Sequence, residues 1–413
     1  MAEEEIYDMV IVGGGAAGYF GAISSVEAAP WSKVLILEKT GEVLSKVKIS
    51  GGGRCNVTHD CPDPRELTKF YPRGEKALIG PFYRWGPSDT IDWFASKGVE
   101  LKVESDGRMF PVTDNSKTIM DCLTKAAEEG GVELRLKAEV ESLESDGREW
   151  VIRLSEGEKI RCRAVLLATG GTRNNAGVKL AGELGHELVP AAPSLFTFKI
   201  DDPRLDGFSG ISVPQAEASV PVLKLKTEGP CLITHWGLSG PAILKLSAKG
   251  ARELADQKYR FDVVINWCGQ KEPELLEIFS RARENSPRKR VRSGLSEVAI
   301  PARLWTRLAE HAGVGEETIW ANLSKTDRHS LILSIIASRF NVNGKSMNKD
   351  EFVTAGGVNL MEVNFNTMES RLHSGLFFAG EVLDIDGVTG GFNFQSAWTT
   401  GRIAGEAAVV AGA

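Results

Sequence analysis

The sequence predicts an α/β fold in which a dinucleotide-binding domain is interrupted by an insertion, and three observations support this prediction. An apolar run, Ile6 to Val12, leads into a glycine-rich turn and a segment of small residues. A second apolar run, Val34 to Leu37, ends at an acidic residue. Short alternating runs and then helical patterns fill residues 195–338. Apolar runs bounded by glycines are typical of buried parallel strands.

Length and composition indicate an ordinary globular protein. The chain has 413 residues, 42% hydrophobic and 25% charged, with a formal net charge of −6, and this length predicts about two to three domains. The mild acidity argues against a general nucleic-acid binder. An acidic N-terminus and the lack of long apolar runs argue against a secretory signal or a membrane span, so we expect a cytoplasmic protein. Six cysteines without C-x-x-C spacing predict reduced thiols, and we expect no metal site.

The turn Gly13-Gly14-Gly15-Ala16-Ala17-Gly18 matches the pattern G-x-G-x-x-G between a strand and a helix. Gly13 permits the tight turn, Gly15 lets the backbone approach a pyrophosphate, and Gly18 lets the helix pack on the strand. The first N–H groups of the helix then face the phosphates. Glu38, 20 residues beyond Gly18, can accept hydrogen bonds from both ribose hydroxyls and would repel a 2′-phosphate. The nucleotide is therefore predicted to be FAD or NAD rather than NADP.

Three later segments favour FAD. Arg163 to Gly171 is a buried strand that runs into small residues, after three predicted strands near 132–136, 140–144 and 149–154. Thr367 to Glu381 contains a strand that ends in glycine and an acid, and a carboxylate there can bind a ribityl hydroxyl, which NAD lacks.

The third segment is Gly390-Gly391-Phe392-Asn393, which leads into a helix of small residues from Ser396 to Ala408. A helix N-terminus near the flavin pyrimidine would stabilise negative charge at N1–O2 on reduction. This order of segments resembles the two-dinucleotide-fold flavoproteins, a Rossmann-like type in which the Gly-acid segment closes the FAD site from the C-terminal end.

Four longer motifs resemble one family: Lys46 to Thr58, Thr234 to Pro241, Thr354 to Val358, and Gly380 to Gly387. The chain is similar to the bacterial NAD(P)/FAD-dependent oxidoreductase flavoproteins, whose named relatives include aminoacetone oxidase and a bile-acid dehydroxylation reductase. The resemblance implies an FAD domain interrupted by a β-rich domain that itself carries a helical domain. Relatives usually have a longer loop after Gly171, and the short stretch 172–177 puts an activity transferred from them in doubt.

The run Gly51-Gly52-Gly53 can bring main-chain N–H groups against a ligand, and Arg54 can pair with a phosphate or with reduced flavin. The predicted FAD-binding residues are Gly13, Gly15, Ala17, Gly18, Glu38, Lys39, Lys46, Gly51, Gly52, Gly53, Arg54, Cys55, Asn56, Val140, Ala168, Thr169, Gly170, Gly380, Glu381, Asp384, Gly391, Phe392 and Asn393.

The candidates for catalysis are His235, Asn56 and Cys55. His235 lies between Thr234 and Trp236 and can protonate a substrate atom near the flavin; the alternative is a histidine that holds the turn. Asn56 and Asn393 can each hydrogen-bond the isoalloxazine edge, and Cys55 is a candidate redox thiol or flavin contact.

The remaining acids and histidines are given less direct roles. Glu381 and Asp384 are assigned to ribityl contacts rather than to acid–base work, and Asp386 to a turn. His59, His186, His311, His329 and His373 are expected to be ordinary surface or packed side chains.

The predicted domains are 1–194 (FAD-binding, first part), 195–269 (β-rich barrel or sandwich), 270–338 (helical cap) and 339–413 (return and completion of the FAD domain). Within the cap, helices are predicted over Glu272–Ala282, Ala302–His311 and Glu317–Leu323. A basic run over 281–292 is interpreted as a solvated surface.

These features predict an FAD-dependent oxidoreductase in which a donor delivers hydride to flavin N5 and a small organic acceptor or O₂ removes the electrons. The single G-x-G-x-x-G argues against a second nucleotide domain, so NAD(P)H, the expected donor, would bind transiently. Two alternatives stay open: an amine oxidase that forms peroxide, and a flavin-bound regulatory protein that contacts nucleic acid through 281–292. The substrate and oligomeric state stay open as well.

Overall fold

The computed structural model describes residues 6–171, 176–346 and 353–410. The chain forms two compact units, Met1–Pro193 with Lys349–Ala413, and Ser194–Asn348. We call them the nucleotide unit and the inserted unit.

A nine-stranded sheet forms the centre of the nucleotide unit. Ile6–Val12 is flanked by two parallel neighbours, Val34–Glu38 and Lys159–Leu167. Glu133–Leu136 and Leu376–Phe378 extend the parallel part on opposite sides. The apolar runs of the first two strands are almost entirely buried, because both faces of such a sheet are covered.

The remaining strands of this unit are short or antiparallel. They are Thr58–His59, Leu101–Val103, Arg108–Pro111, Val140–Ser145, Trp150–Leu154, Leu188–Ser194 (at the unit boundary), Val353–Val358, Val363–Asn364 and Glu369–Ser370. The predicted strands near 140–144 and 149–154 form an antiparallel meander with Lys159–Leu167. Glu133–Leu136, in contrast, belongs to the parallel part.

Within the described residues, eight helical segments belong to the nucleotide unit. They are Ala16–Ala28, Ser45–Gly53, Pro64–Thr68, Glu75–Arg84, Pro87–Ser96, Ser116–Glu129, Ala176–Glu183 and Phe392–Val410, with short 3-10 turns at Leu360–Glu362 and Gly380–Val382. The last helix begins at Phe392, earlier than predicted. Of the loop 172–177, residues 172–175 lie outside the described residues.

The first and last helices pack together through small residues. A Cβ on Gly405 would lie 2.1 Å from the Gly21 carbonyl oxygen, and one on Gly401 would lie 2.6 Å from the Ala17 carbonyl oxygen. Only hydrogen atoms fit between these backbones, so glycine allows the close approach. This contact holds the two ends of the chain together beside the parallel sheet.

The inserted unit contains a seven-stranded antiparallel sheet. Its order is Ser338–Val342, Phe261–Asn266, Ser212–Val220, Leu225–Thr234, Gly237–Ser239, Thr197–Lys199 and Gly344–Ser346. The helices are Pro241–Lys249, Ala251–Asp256, Glu272–Asn285, Ala302–His311 and Lys325–Ile336, with 3-10 turns at Pro221–Leu223, Val291–Ser293 and Trp320–Asn322. Strand and helix side chains share one apolar core, and the division of the insertion into two domains stays a prediction.

The helix predicted over Glu317–Leu323 is wrong, since only the single 3-10 turn at Trp320–Asn322 forms there. Its backbone bonds to another segment instead: Val291 N donates to Thr318 O at 2.9 Å and Trp320 N donates to Lys289 O at 3.1 Å. Tertiary pairing overrides the weak helical pattern of this short segment.

Candidate dinucleotide-binding site

Three strands end side by side at one edge of the parallel sheet. Val12 is paired with Leu167, and Leu167 with Phe378. The register continues past the strand ends, since Ala168 N donates to Val12 O at 2.9 Å and Ala379 N donates to Leu167 O at 3.1 Å. The glycine turn, the Ala168–Gly170 segment and the Gly380–Glu381 segment therefore meet where parallel α/β sheets bind ligands.

The glycines of the first turn have two different functions. A Cβ on Gly18 would lie 2.0 Å from Gly13 O, and one on Gly13 would lie 2.6 Å from Ala168 O. Gly15, in contrast, has nothing within 4 Å of its Cβ position. No described side chain caps the helix that begins at Ala16, so its first N–H groups and the space beside Gly15 fit a pyrophosphate.

Glu38 lies at the end of the second strand, facing this turn. Its carboxylate accepts from Gly14 N at 2.8 Å and from the N and Oγ1 of Thr40 at 2.9 and 2.8 Å. These donors hold the carboxylate in place, and its remaining lone pairs are available to ribose hydroxyls. Lys39 is exposed and Val140 is buried. Two residues before Val140, Ala138 N donates to Glu38 O at 2.9 Å.

The glycine run after Ser45 breaks its own helix. Gly51, Gly52 and Gly53 have φ of +58°, +70° and +85°, a left-handed conformation that other residues rarely adopt. A Cβ on Gly51 would lie 2.8 Å from the Phe110 ring, whereas Gly52 and Gly53 face open space within 4 Å. The run thus exposes backbone at a place where a flat ligand can approach.

Lys46 connects this segment to the C-terminal one. Its Nζ forms an ion pair with the Glu381 carboxylate, which also accepts from Gly171 N at 3.2 Å. Glu381 is thus held by two partners at the meeting point of the strand ends. Its assignment to a ribityl hydroxyl stays a prediction.

Arg54 is engaged by acids rather than turned toward a phosphate. Its guanidinium lies 2.6 Å from Glu104 Oε1 and 3.6 Å from Asp114 Oδ1, and it stacks on Phe110 at 3.9 Å. The hydrogen bond to Glu104 raises the pKa of Arg54. Glu104 and Asp114, from distant segments, thus neutralise its charge, and the binding of the cofactor by Arg54 stays a prediction.

Cys55 and Asn56 are both turned into the protein. Cys55 is 0% exposed, and burial raises the pKa of its thiol to about 12, so it carries almost no thiolate at neutral pH. With its amide oriented to satisfy its neighbours, Asn56 donates to Thr58 O at 3.0 Å and accepts from Gly391 N at 2.9 Å. These surroundings argue against a redox role for Cys55 and give Asn56 a loop-holding role.

The predicted residues after Gly380 mostly hold the backbone. Asp384 Oδ1 accepts from Gly356 N at 2.9 Å. Asn393 Oδ1 accepts from Gly387 N at 2.8 Å, and Asn393 Nδ2 donates to Gly387 O at 2.9 Å. Phe392 stacks against Phe70 at 4.4 Å. All three side chains are thus held by contacts within the protein, and the predicted flavin contacts of Asp384, Phe392 and Asn393 stay predictions.

Asp386 is wrongly predicted as a turn residue, and its partner Arg73 is absent from the predicted site. Asp386 is 0% exposed and forms a two-pronged ion pair with Arg73, whose side chain is 11% exposed. The two residues are 313 positions apart, so the one available signal is an acid within the mostly apolar stretch after Glu381.

His235 lies in the inserted unit, at the exposed tip of the hairpin between Leu225–Thr234 and Gly237–Ser239. Its ring lies 4.7 Å from that of Trp236, which is 47% exposed. The turn is held by Thr234, whose Oγ1 donates to Gly237 O at 3.2 Å. A turn-holding role for His235 is therefore not supported, and its catalytic role stays a prediction.

Three arginines of the basic run over 281–292 have local partners. Arg281 pairs with Glu277 and Glu297, and Arg290 pairs with Glu317. Arg292 donates to Val314 O at 2.6 Å. This arrangement agrees with a solvated surface rather than a specific anion site.

In the part of the chain that the structure describes, no cluster of three or more metal-binding side chains occurs. No helix among the same residues is long and apolar enough to cross a membrane. All six cysteines carry free thiols.

Comparison with known proteins identifies the family. The family model described as "HI0933-like protein Rossmann domain" matches residues 7–407. The chain is 31% identical over 407 residues to the ribosomal RNA dihydrouridine synthase of Escherichia coli K12, covering 96% of each protein. It is 28% identical over 409 residues to the 3-dehydro-bile acid delta(4,6)-reductase of Clostridium scindens, covering 96% of this chain and 98% of the relative.

Among solved structures, the chain resembles the 3-ketosteroid-delta4-(5alpha)-dehydrogenase of Rhodococcus jostii, with a TM-score of 0.52, 17% identity, and coverage of 99% and 98%. It also resembles a flavocytochrome c3 fumarate reductase, with a TM-score of 0.51, 18% identity, and coverage of 100% and 79%. The prediction of a Rossmann-like FAD-binding domain with an additional sheet and helices is thereby confirmed. The chain belongs to the HI0933-like Rossmann-domain family, and it is a flavoprotein of the FAD-dependent oxidoreductase type.

Proposed function

We propose that this protein is an FAD-dependent reductase that transfers hydride from NAD(P)H to a carbon–carbon double bond conjugated to a carbonyl group. The observation that carries the proposal is the match, over almost the whole chain, to two relatives whose names both describe such chemistry. Dihydrouridine forms when the ring double bond of uridine, next to a carbonyl, is reduced. A delta(4,6)-reductase acts on double bonds conjugated to the 3-oxo group of a 3-dehydro-bile acid.

The residues present fit FAD. The N–H groups at the start of the first helix and the open space beside Gly15 would hold the pyrophosphate, and Glu38 would bind the adenosine ribose. Glu381, held by Lys46, would face the ribityl chain. When bound, FAD would supply the group that accepts and gives hydride, while the protein supplies orientation and electrostatics.

Reduction of a conjugated double bond requires one hydride at one carbon and one proton at the other. We assign the proton to His235, because its imidazole is exposed and histidine is the side chain that most often acts as a general acid. Cys55 is a poor alternative, since its buried thiol is not exposed to a substrate. The hydride originates from NAD(P)H, for which the sequence offers no second G-x-G-x-x-G site, so we propose transient binding.

Anaerobic stopped-flow absorbance tests the donor. Rapid bleaching of the flavin band by NADH or NADPH supports the reductase, whereas bleaching by amines followed by peroxide formation supports the alternative of an amine oxidase. If none of these donors bleaches the flavin, the reductase proposal fails, and the alternative of a flavin-bound regulatory protein is favoured.

Reoxidation of the pre-reduced protein tests the acceptor. A steroid dienone, a simple cyclic enone and a uridine-containing ribosomal RNA fragment are compared with O₂, and the product is identified by mass spectrometry. Saturated carbonyl products support the proposal, and oxidation by O₂ alone contradicts it.

A second candidate acceptor is uridine in ribosomal RNA, which the 31% identity to the E. coli relative favours. The net charge of −6 provides little electrostatic attraction for RNA, and two bases of the 281–292 run, Arg281 and Arg290, are paired with acids. Replacing the bases of the run with Ser tests whether this surface contacts RNA, and unchanged binding to RNA and heparin would exclude it; the six bases are Arg281, Arg283, Arg288, Lys289, Arg290 and Arg292.

A further inference from the structure

The nucleotide unit contains a buried ion pair that contributes nothing to the predicted cofactor contacts. The Arg73 guanidinium donates through Nε and Nη2 to the two carboxylate oxygens of Asp386. Asp386 is fully buried, and the Arg73 side chain is 11% exposed. We propose that Arg73 is a positioning residue: through Asp386 it fixes the loop Ile385–Gly391, and with it the start of the last helix, against bound FAD.

The loop lacks helix or strand structure of its own and is held from outside. Three contacts come from the segment that contains Arg73: Val388 N donates to Phe70 O at 2.8 Å, Tyr71 Oη donates to Phe392 O at 2.6 Å, and Arg73 itself pairs backbone to backbone with Asp386 as an isolated bridge. The Arg73–Asp386 ion pair adds a charged contact to these three.

The far end of the loop lies against Asn56 and Thr58, which follow the glycine run in the sequence. A Cβ on Gly391 would lie 2.4 Å from Thr58 O and 2.9 Å from the Asn56 side chain, and Asn56 N in turn lies 3.2 Å from a Cβ on Gly51. A shift of the loop is therefore passed to Gly51–Gly53 and to the first turn of the helix that begins at Phe392. Closely packed backbone transmits such shifts because it has no space to absorb them.

The electrostatic reason for a charged pair at this place is specificity of position. A buried carboxylate is strongly destabilising unless a cation and further donors satisfy it, so Asp386 occupies one geometry, set by the planar Arg73 fork. The N-terminus of the last helix carries partial positive charge. Its distance from the flavin affects how well negative charge on the reduced ring is stabilised.

This inference rests on the proposed FAD site, and the experiment distinguishes a failure of the inference from a failure of the proposed site. Arg73→Met and Arg73→Lys are compared with Arg402→Met, a matched control. Arg402 lies on the same last helix and is 18% exposed, and it pairs with Glu27 and Glu406. FAD affinity of the FAD-depleted protein, the flavin reduction potential, and hydrogen exchange of residues 385–395 are measured for each.

We expect Arg73→Met to weaken FAD binding by about tenfold or more, to make the potential more negative, and to increase exchange in the loop. Arg73→Lys keeps the charge without the fork, and it should recover part of the affinity. Arg402→Met should lower thermal stability but leave FAD affinity and potential as in the wild type. If Arg73→Met does not fold, the double variant Arg73→Met/Asp386→Leu, which removes both charges, is measured in its place.

Two results would overturn the inference. One is a folded Arg73→Met or double variant with wild-type FAD affinity and potential; the other is equal changes for Arg73→Met and Arg402→Met, which would indicate a purely structural ion pair. A wild-type protein that does not bind FAD would contradict the proposed function instead, so the two failures are distinguishable.

Discussion

The substitution Gly405→Ala tests the contact between the first and last helices. The assembly of the proposed FAD site from both ends of the chain depends on this contact. A Cβ there would lie 2.1 Å from Gly21 O and 2.9 Å from Gly21 C, whereas ordinary contacts begin at 3.4 Å. Gly405→Ala therefore requires the helices to separate locally by about 1.3 Å, the difference between 3.4 and 2.1 Å. The neighbouring atoms are backbone, so a side-chain rotation does not relieve the overlap.

The expected magnitude follows from two opposing effects. Overpacking of a tight contact typically costs about 1–3 kcal/mol. Alanine recovers up to about 1 kcal/mol because it is a better helix former than glycine. Because the overlap is with rigid backbone, we use the upper end of the range and predict a net destabilisation of about 2 kcal/mol. Separation also displaces the first helix from the Gly380 segment, so FAD affinity should fall as well.

Urea unfolding of the FAD-free protein, followed by circular dichroism, measures the change. Gly80→Ala is the matched control, because Gly80 lies inside the helix Glu75–Arg84 and has nothing within 4 Å of its Cβ position. We expect this control to stabilise the protein by up to about 1 kcal/mol. Equal or greater stability of Gly405→Ala relative to the wild type would refute the packing argument.

Four further predictions use other sites. Gly15→Val should fold, because φ −89° suits any residue and the space is open, yet fail to retain FAD; a fully yellow variant would reject the site. His235→Ala should slow turnover by roughly a hundredfold while leaving FAD affinity unchanged, as loss of a general acid does; equal kinetics would remove His235 from the mechanism. Native Cys55 should resist alkylation at neutral pH until the protein unfolds, since burial raises its pKa to about 12. Burial lowers the pKa of His186 in the native state, so the unfolded chain takes up a proton more readily and stability should fall as pH drops through the ordinary histidine range; a shallower pH dependence for His186→Gln checks this.

The parts of the site that could be predicted from the sequence are those determined by neighbouring residues. The turn before Gly18 needs glycine because the first helix and strand touch there, and that requirement is local. The acid at Glu38 ends the next strand of the same unit. Parallel strands end at a common edge, so the order of the segments was enough to bring Gly380 and Glu381 to the first turn.

The parts that could not be predicted depend on partners far along the chain. Arg54 follows a glycine run, which suggested an anion-binding residue, but Glu104 and Asp114 neutralise its charge. The residues around Asp386 suggested a turn, but its side chain is buried and paired with Arg73. The identity of a charged partner leaves no trace in local periodicity, because an ion pair requires only complementary groups that the fold brings together.

The glycine positions of this chain allow packing to be separated from ligand binding. At Gly13 and Gly18 a Cβ would strike backbone, so the fold alone requires glycine. At Gly52 the positive φ is sufficient reason. Gly15 has neither constraint, since its φ is ordinary and its Cβ would meet nothing within 4 Å. Folding therefore offers no reason for glycine at this position. Gly80 is equally open, but Gly15 also precedes the first N–H groups of a helix at the edge where the strands end, so in the proposed FAD site a pyrophosphate fills the space. Replacement of Gly15 should then affect FAD binding and leave the apoprotein intact.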